Sequence, residues 1–514
     1  MQIKQEHPFW KVAIALGIVL FFVNSVLFIL LGQANADEGW YLYASKLVYS
    51  GQLPYQDFAF TQTPLLPYIY GIPQHFLFQS LYLGRVTSAA FSILAFILSL
   101  LTARNYGGKT AMGITSLLGG TFTFGIYFQS ITKTYALTTF FFILAFFVIS
   151  SNYRRDLKLI LSTLFVLLAT LTRLSAVFFA VPFIVYALFT SGTRSKWTII
   201  ALCLGASFWV LILALPNVDA AVWGLVTHHA SQWGNITVGK WVSQILSFRT
   251  MLLFMAFLPY IILWGTIILA VGFKQIKSGI VRHSAIFVTA AGLLLFAIPN
   301  LVSGGFHTEY YVPFLFISFP IIGIVYARIF DRQGKISKAF MSMALLYAVI
   351  AGELGVSRGH GKAVDEQVGG GYYFIDISGG YAPVEEIRNV SSVISDNSTA
   401  EDRVFVLEAL WLAIESGRQV MPNMTMAQFS YYNTDTKTAN HLHLINDQII
   451  LSYIESADPK LIILTDLDWG TLQHSPEYEK IAASLEKNYY LIYRENGFGQ
   501  ISNNVEVYNR RKAK

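Results

Sequence analysis

The sequence contains a single cysteine, Cys203, which lies within an apolar run. One thiol forms neither an intramolecular disulfide nor a cluster of thiolate metal ligands, so both kinds of site are excluded. Charged residues are also scarce, at 13% of 514 residues, whereas soluble domains carry about 25%. No basic patch with interleaved aromatic residues occurs, so the net charge of +6 does not indicate nucleic-acid binding.

Acidic residues are missing from the middle of every long apolar run. Glu309 and Glu353 come nearest, and both lie near the end of a run. Ion-coupled transporters usually place ionisable groups inside the membrane, where these groups relay protons or ions. The absence argues against a transporter, although a lipid or polysaccharide transporter or flippase stays an alternative interpretation.

Apolar residues dominate what is present, at 54% of the chain. A membrane-spanning helix needs about 20 predominantly apolar residues, and runs of this kind recur along the chain. We predict spans near 11–31, 82–103, 110–128, 135–151, 157–171, 174–190, 197–215, 251–272, 284–300, 309–327 and 339–355. The first run is too long for a cleaved signal peptide and is interpreted as an anchor. The predicted fold class is an α-helical polytopic membrane protein with about 11 transmembrane helices.

Basic residues predict the orientation of these spans. With the N-terminus inside, the inner loops hold most of the Lys and Arg residues, and the outer loops hold chiefly Lys46, Lys133, Arg173, Lys240 and Arg249. This asymmetry follows the positive-inside pattern, and the expected location is the bacterial plasma (inner) membrane. An odd number of spans then places residues 357–514 outside.

The chain is thus predicted to have two parts. Residues 1–356 form the membrane bundle, with a long first outer loop at 32–81, and residues 357–514 form an extracytoplasmic soluble domain. Within that domain, 403–408, 460–466, 489–495 and 505–511 resemble strands, whereas 384–396, 440–457 and 476–487 have helical patterns. Alternation of this kind predicts a small α/β layer domain.

The first outer loop opens with "NADEGWYLYASKLVYSGQLPYQDF", in which Asp37 and Glu38 directly follow a predicted span. Trp40, Tyr41, Ala44, Leu47 and Val48 share one helical stripe, and this pattern predicts a short helix on the outer membrane surface. One interpretation makes Asp37 the N-cap of that helix and Glu38 a first-turn acid that compensates the helix dipole. The other makes Asp37 the acid of a membrane-surface enzyme.

Ionisable side chains gather on the predicted outer face, which favours the enzyme interpretation. The group consists of Asp37, Glu38, Asp57, His75, His228, His229, His307 and Glu309, with Lys133 and Arg173 at neighbouring span ends. The plainer alternative is that loops are simply where charged residues occur.

Three segments resemble a known family. "DEGWYLYASKLVYSGQLPYQDF" continues through "TPLLPYIYGIPQHFLFQSLYLGRVTSAAFSIL", and "LLATLTRLSAVFFAVPFIVYAL" and "HTEYYVPFLF" follow later. Together they resemble the membrane glycosyltransferases of the GT-C fold, in the branch of protein O-mannosyltransferases and lipid A aminoarabinose transferases (glycosyltransferase families 39 and 83). The resemblance covers roughly residues 1–355.

The resemblance implies an enzyme that moves a sugar from a polyprenyl-phosphate donor to a hydroxyl acceptor on the extracytoplasmic face, with inversion. The family's catalytic acid falls on Asp37, as general base, with Glu38 beside it in the catalytic pair. This agrees with the chemistry, because an attacking hydroxyl needs a carboxylate to accept its proton. A departing polyprenyl phosphate likewise needs cations where charge develops.

Lys133, Arg173 and Arg85 are the predicted ligands of the donor phosphate, although Arg85 has the alternative of pairing with Asp57 or Glu38 to fix the loop. The predicted substrate-binding residues are Tyr41, Asp57, Gln62, His228, His307 and Tyr310. Some family members carry Glu-Lys where this chain has Gln62-Thr63, so a carboxylate ligand is lost there. We therefore expect no required cofactor, although His228, His229 and His307 leave a divalent metal open.

The expected partners are the lipid-linked sugar donor, the lipid bilayer and an acceptor glycan, lipid or protein, with no nucleic acid. The sequence does not name the sugar, the polyprenol or the acceptor. A non-catalytic membrane sensor with an outer ligand-binding domain is a further alternative. It differs from the enzyme in predicting that Asp37 is dispensable.

Overall fold

The computed structural model describes residues 8–233, 248–271, 284–302, 308–330, 333–358, 383–499 and 503–511. His307 and Lys240 lie outside these residues. The described part of the membrane region is helical almost throughout. Its helices are α1 Phe9–Leu31, α2 Ala36–Tyr49, α3 Leu65–Phe76, α4 Leu81–Thr121, α5 Thr123–Ser130, α6 Thr134–Ile149, α7 Arg155–Thr172, α8 Val177–Thr190, α9 Thr193–Ala214, α10 Val218–Val222, α11 His228–Trp233, α12 Phe248–Val271, α13 Ser284–Val302, α14 Val312–Ile329 and α15 Lys335–Arg358.

Every predicted span falls on one or two of these helices, but the expected number of membrane crossings is not confirmed. Five described helical segments are long and apolar enough to cross a membrane, or six if the bent pair α5 and α6 is one span. Three further apolar helices, at Leu174–Thr190, Phe257–Leu269 and Ser284–Ala297, are shorter. The expected count of eleven spans is therefore not confirmed, because apolar runs in the sequence do not show where a helix bends or stops.

Two breaks interrupt the helices of the bundle, and the second bears on the site. Gly108 interrupts α4 with φ of 67° and ψ of −161°, a backbone conformation that side chains with a Cβ rarely adopt. The second break separates α5 from α6, whose axes differ by 107°. Lys133 is the last residue of that bend and the N-cap of α6. The bend thus places a cation at the end of a buried helix.

Helix α2 is the connection between the bundle and the C-terminal domain. Its N-cap is Asn35, whose side chain accepts a hydrogen bond from the Asp37 N–H, while Glu38 accepts one from the Asn35 N–H. This reciprocal arrangement is a capping box, which satisfies two backbone donors that a helix start would otherwise leave unpaired. The alternative that Asp37 is the N-cap is therefore wrong.

The described residues after 383 form a small α/β domain, as expected. A five-stranded sheet has the order β2-β1-β3-β5-β4, with the first three strands parallel and the last two antiparallel to their neighbours. The strands are β1 Arg403–Val406, β2 Gln419–Val420, β3 Leu461–Thr465, β4 Tyr489–Phe498 and β5 Asn503–Arg510. The helices are α16 Pro383–Asp396, α17 Trp411–Glu415, α18 Thr436–His441, α19 Asp447–Glu455, α20 Asp466–Gln473 and α21 Tyr478–Asn488.

One face of α2 packs directly on this domain. A Cβ added to Gly39 would lie 2.6 Å from the Trp411 nitrogen, so only glycine allows this approach. One turn later the Val420 N–H donates to the Tyr43 hydroxyl at 3.0 Å. Lys46 then donates to the Arg418 carbonyl at 2.9 Å. Positions 39, 43 and 46 share one helix face because of the 3.6-residue period.

The orientation of the C-terminal domain stays a prediction that charge asymmetry makes. A reporter that is active only in the cytoplasm, fused after Lys514, is expected to be silent, whereas the same reporter fused in the 151–154 loop after truncation there should be active. A bright signal from the full-length fusion would reverse the orientation and move Asp37 to the cytoplasmic side.

Candidate active site

Asp37 lies in the first turn of α2 and points toward the bundle. Its Oδ2 atom is 2.8 Å from the Lys133 ammonium, and its Oδ1 accepts a hydrogen bond from the Trp40 indole at 3.1 Å. The side chain is 24% exposed, whereas that of Lys133 is 7% exposed. Asp37 is thus the acid of this group that a substrate can reach, and its position is fixed by two donors.

Lys133 joins Asp37 to a second carboxylate. Its ammonium lies 3.9 Å from Glu309 Oε1, and Glu309 is itself buried. The ammonium also lies over the Tyr135 ring at 5.5 Å. The bend between α5 and α6 therefore carries a lysine to a point where acids from α2 and from the start of α14 converge.

Arg173 forms the other cation of the site, at the C-cap of α7. Its guanidinium donates to the hydroxyls of Thr134 at 2.9 Å and Ser175 at 3.0 Å. It lies over the rings of Tyr310 at 4.5 Å and Tyr135 at 5.0 Å. It is 7% exposed. Among the residues that the structure describes, no carboxylate forms a salt bridge with it.

Aromatic side chains wall the site. Tyr41 is buried and stacks on Trp40 with ring centroids 3.7 Å apart. Burial raises the pKa of the Tyr41 phenol, and the Asp37 carboxylate acts in the same direction. Tyr41 is therefore a neutral hydroxyl at physiological pH. Tyr310 is half-buried and stacks on Arg173. Sequence reasoning selected Tyr41, Tyr310, Lys133 and Arg173, and the fold brings all four together beside Asp37.

Glu38 points away from this group and forms an internal ion pair. Each of its oxygens accepts two hydrogen bonds, from Arg85 at 2.7 and 2.9 Å, from the Asn35 N–H at 3.1 Å and from the Thr132 N–H at 3.1 Å. Both charged side chains are fully buried. Arg85 also donates to the Gly32 and Gln33 carbonyls at the end of α1.

Through these contacts the Glu38–Arg85 pair holds α1, α2 and α4 together. This geometry does not support a catalytic role for Glu38, because both carboxylate oxygens are buried and each already accepts two hydrogen bonds. It does not support a phosphate-binding role for Arg85 either. Arg85 was predicted to pair with Asp57 or Glu38, and in the structure it pairs with Glu38.

Of the other predicted site residues, His228 lies near enough to Asp37 for the charges of the two side chains to interact, whereas Asp57 and Gln62 make their contacts elsewhere. Asp57 accepts the Leu53 N–H at 2.7 Å and closes a turn beyond the far end of α2. Gln62 is half-buried, and its carbonyl accepts a hydrogen bond from the Tyr55 hydroxyl. His228 lies against Trp223 and Phe429, with ring centroids 5.3 Å away in each case. His75 is exposed beside Tyr49.

Glu309, Thr134, Ser175 and Tyr135 belong to the site but were not selected as site residues. Glu309 is separated from Lys133 by most of the bundle in sequence, so only the fold brings the two together. The neighbours of Lys133 and Arg173 in "TKTYA" and "TRLSA" offered a usable signal, since hydroxyl residues flank both cations. Within the described residues, no three His, Cys, Asp or Glu side chains converge on a point that would hold a metal ion.

The "DLD" at 466–468 has the form of the metal-binding DXD of soluble nucleotide-sugar transferases, but its carboxylates have structural partners. Asp468 accepts the Thr465 N–H in the capping box of α20, and Asp466 accepts the Asn504 N–H at 2.9 Å. The two carboxylates therefore bind backbone groups at the end of β3 and the start of β5.

No family model matches the chain, and no curated protein sequence matches it either. Solved structures do. The chain is similar to ArnT from Cupriavidus metallidurans bound to undecaprenyl phosphate, with a TM-score of 0.60 at 12% identity, over 98% of this chain and 98% of that chain. It is also similar to ArnT from the same organism in the apo state, with a TM-score of 0.57 at 13% identity, over 97% of each chain. Similarity at this identity shows the fold, and along nearly the whole length this chain has the GT-C fold that its sequence resembles.

Proposed function

We propose that the protein is a membrane glycosyltransferase. It transfers a sugar from a polyprenyl-phosphate-sugar donor to a hydroxyl of a glycan, lipid or protein acceptor on the extracytoplasmic face, with inversion and without a required metal. Asp37 is the general base. Support comes from the GT-C fold, from the ArnT structure that holds undecaprenyl phosphate and above all from the charges around Asp37.

The observation that carries the proposal is the state of Arg173. The Arg173 guanidinium is 7% exposed and hydrogen-bonds only to hydroxyls, so among the described residues no carboxylate contacts it directly, although Glu309 lies near enough to act on its charge. Burying an unpaired charge costs several kcal/mol, so buried charges are normally paired. A phosphate is the ligand that the planar, multidentate guanidinium suits best. Arg173 therefore fits the donor phosphate better than it fits a structural role.

The distribution of charge also fits the reaction. Asp37 shares the Lys133 ammonium with Glu309, so the negative charge of the base is partly neutralised. A donor phosphate beside Arg173 would compete with Asp37 for Lys133. The acceptor hydroxyl would then lose its proton to Asp37 as the bond to the sugar forms, and the leaving phosphate would keep the electron pair of the broken bond. Proton acceptance by a placed carboxylate and charge stabilisation by fixed cations are both large terms in such reactions.

The direct test is transfer by purified enzyme. A panel of radiolabelled polyprenyl-phosphate sugars is incubated with the enzyme and membrane extract, and the extract component that gains label is identified. Label that appears in an acceptor only with intact enzyme supports a transferase. A flippase would instead move label between leaflets of a sealed vesicle without any new covalent product, and a sensor would do neither.

Replacing the phosphate ligands separates binding from stability. Arg173→Met is expected to raise the activation free energy of transfer by about 2.7–4 kcal/mol, which is the effect of losing one charge-stabilising donor. The melting temperature is expected to hold or rise, because a buried cation without a carboxylate partner gives way to an apolar side chain of similar length. Undecaprenyl phosphate should raise the melting temperature of the wild type and have little effect on the variant.

Lys133→Met tests the other cation, and Lys437→Met, at an exposed position of the C-terminal domain, is the matched control. We expect Lys133→Met to lose transfer as Arg173→Met does, and Lys437→Met to keep it. Full activity in both Lys133→Met and Arg173→Met would show that the phosphate binds elsewhere.

A further inference from the structure

A cavity lies against the C-terminal half of α2, away from Asp37. It has a volume of about 400 Å³ and is enclosed by the C-terminal half of α2, the following loop and the segment of the C-terminal domain around β1 and β2. Tyr43, Lys46, Asp57, Arg403, Gln419 and Asn423 are among its lining residues. Because most of the lining side chains are polar, an apolar lipid tail is a poor occupant.

This cavity is separate from the Asp37 site. Lys46 follows Asp37 by nine residues, which at 3.6 residues per turn and 1.5 Å per residue places it on the opposite side of α2 and about 14 Å along its axis. Lys46 bonds to the C-terminal domain, whereas Asp37 bonds to the bundle. A ligand in this cavity therefore has α2 between itself and the proposed base.

The charges of the cavity are unbalanced. Lys46 donates to the Arg418 and Gly417 carbonyls at 2.9 and 3.4 Å, which are neutral acceptors. Arg403 is exposed at the cavity wall, and the described residues offer its guanidinium no hydrogen bond or ion pair. Asp57 is the one acid in the lining, and it already accepts the Leu53 N–H. The cavity thus has an excess of positive charge.

Burial makes this excess costly for Lys46. It lowers the pKa of the Lys46 ammonium to about 8, and the nearby Arg418 guanidinium acts in the same direction. An anion beside Lys46 would stabilise the charged form. Arg418 does not neutralise Lys46, because it is itself a cation, and its guanidinium donates to oxygens of Ser395, Ser398 and Ser416.

We infer that this cavity binds a sugar unit that carries an anionic group, a phosphate or a carboxylate. Arg403 and Lys46 bind the anion, since charge-assisted hydrogen bonds to such groups are strong. The amide side chains of Gln419 and Asn423 provide donors and acceptors for sugar hydroxyls. The volume lies within the range of about 300–1,000 Å³ that small-molecule sites have. Lys46 faces the C-terminal domain and not the bundle, which favours a glycan over the headgroup of a bilayer lipid.

Isothermal titration of the full-length protein in detergent tests this assignment. The probes are glucose 6-phosphate, glucuronate, glucose and inorganic phosphate. We expect the two anionic sugars to bind, glucose to give no measurable binding and inorganic phosphate to bind more weakly than glucose 6-phosphate. Arg403→Gln and Lys46→Gln should each weaken binding by about tenfold or more. Lys480→Gln, at a 66% exposed side chain of the same domain, is the matched control and should bind as the wild type does.

Arg403→Gln carries the decision if Lys46→Gln misfolds, because Arg403 is exposed and forms no described contact that folding needs. Unchanged affinity in Arg403→Gln, or no binding of either anionic sugar to the wild type, would overturn the site. Equal affinity for inorganic phosphate and glucose 6-phosphate would overturn the sugar assignment. Asp37→Asn should bind these probes normally, so the inference does not depend on the proposed transfer reaction.

Discussion

Asp37→Asn is expected to reduce transfer by about 100- to 10,000-fold, the range that general-base catalysis contributes. Asparagine keeps the shape of the side chain and can still accept from the Trp40 indole, but it does not take up a proton. The start of α2 is unaffected, because Asn35 and not residue 37 caps the helix. Turnover in membranes, measured at matched protein levels, gives the result.

The competing explanation is that Asp37 serves only as the counter-ion of Lys133. The double replacement Asp37→Asn with Lys133→Met separates the two. If Asp37 is only a counter-ion, removing both charges restores stability, and the double variant turns over as fast as Lys133→Met alone, since coupled pairs are non-additive. If Asp37 is the base, the double variant turns over at least about 100-fold more slowly than Lys133→Met alone. Asp219→Asn, at a side chain that is 75% exposed, controls for the loss of an acid outside the site. Near wild-type turnover of Asp37→Asn would contradict the assignment of Asp37 as the general base.

Arg85→Met is expected to lower the free energy of unfolding by about 3–5 kcal/mol, the usual cost of breaking a buried ion pair from one side. The fully buried Glu38 carboxylate would lose both guanidinium hydrogen bonds and keep its charge among apolar groups. Glu38→Gln should be destabilising for the converse reason, which makes it unsuitable as a neutral control for Asp37. Thermal melting in detergent and the yield of folded protein measure both variants.

Two comparisons make that result specific. The double variant Glu38→Leu with Arg85→Met should be more stable than either single variant, because no uncompensated charge remains. Arg388→Met breaks a pair with Glu415 in which the arginine is 47% exposed, and we expect a change within about 1 kcal/mol. If Arg85→Met melts with the wild type, the Glu38–Arg85 pair does not hold the helices together.

The sequence predicts those parts of the molecule that depend on local pattern. Strand-like segments at 403–408, 460–466, 489–495 and 505–511 predicted the strands that lie at Arg403–Val406, Leu461–Thr465, Tyr489–Phe498 and Asn503–Arg510, whereas β2 has only two residues and leaves no signal in the sequence. The cap at Asn35 was also readable, since an Asn followed three residues later by Glu38 is the capping-box spacing. The sequence also offers Asp37 as an N-cap, and this is the alternative that the structure excludes.

What the sequence does not predict depends on contacts between distant segments. The sequence left Asp57 and Glu38 as alternative partners of Arg85, since both lie in the first outer loop. Only the packing of α4 against α1 and α2 selects Glu38. The meeting of Glu309 with Lys133 depends on the bend between α5 and α6, for which an unbroken apolar pattern gives no warning. The sequence also does not show which face of α2 contacts the bundle and which contacts the C-terminal domain, because both faces of this helix pack against protein.

The docking of α2 on the C-terminal domain sets an order for biogenesis. The hydrogen bond of Tyr43 cannot form until Val420, which is 377 residues further along the chain, has been synthesised. The contact of Gly39 likewise requires Trp411. During synthesis the helices of the bundle can insert one after another while this outer contact of α2 is still lacking. The helix that carries Asp37 therefore gains its last support only near the end of translation. A chain that stops early would hold a nearly complete bundle with a poorly seated acid, and premature products would be inactive before any protease reached them.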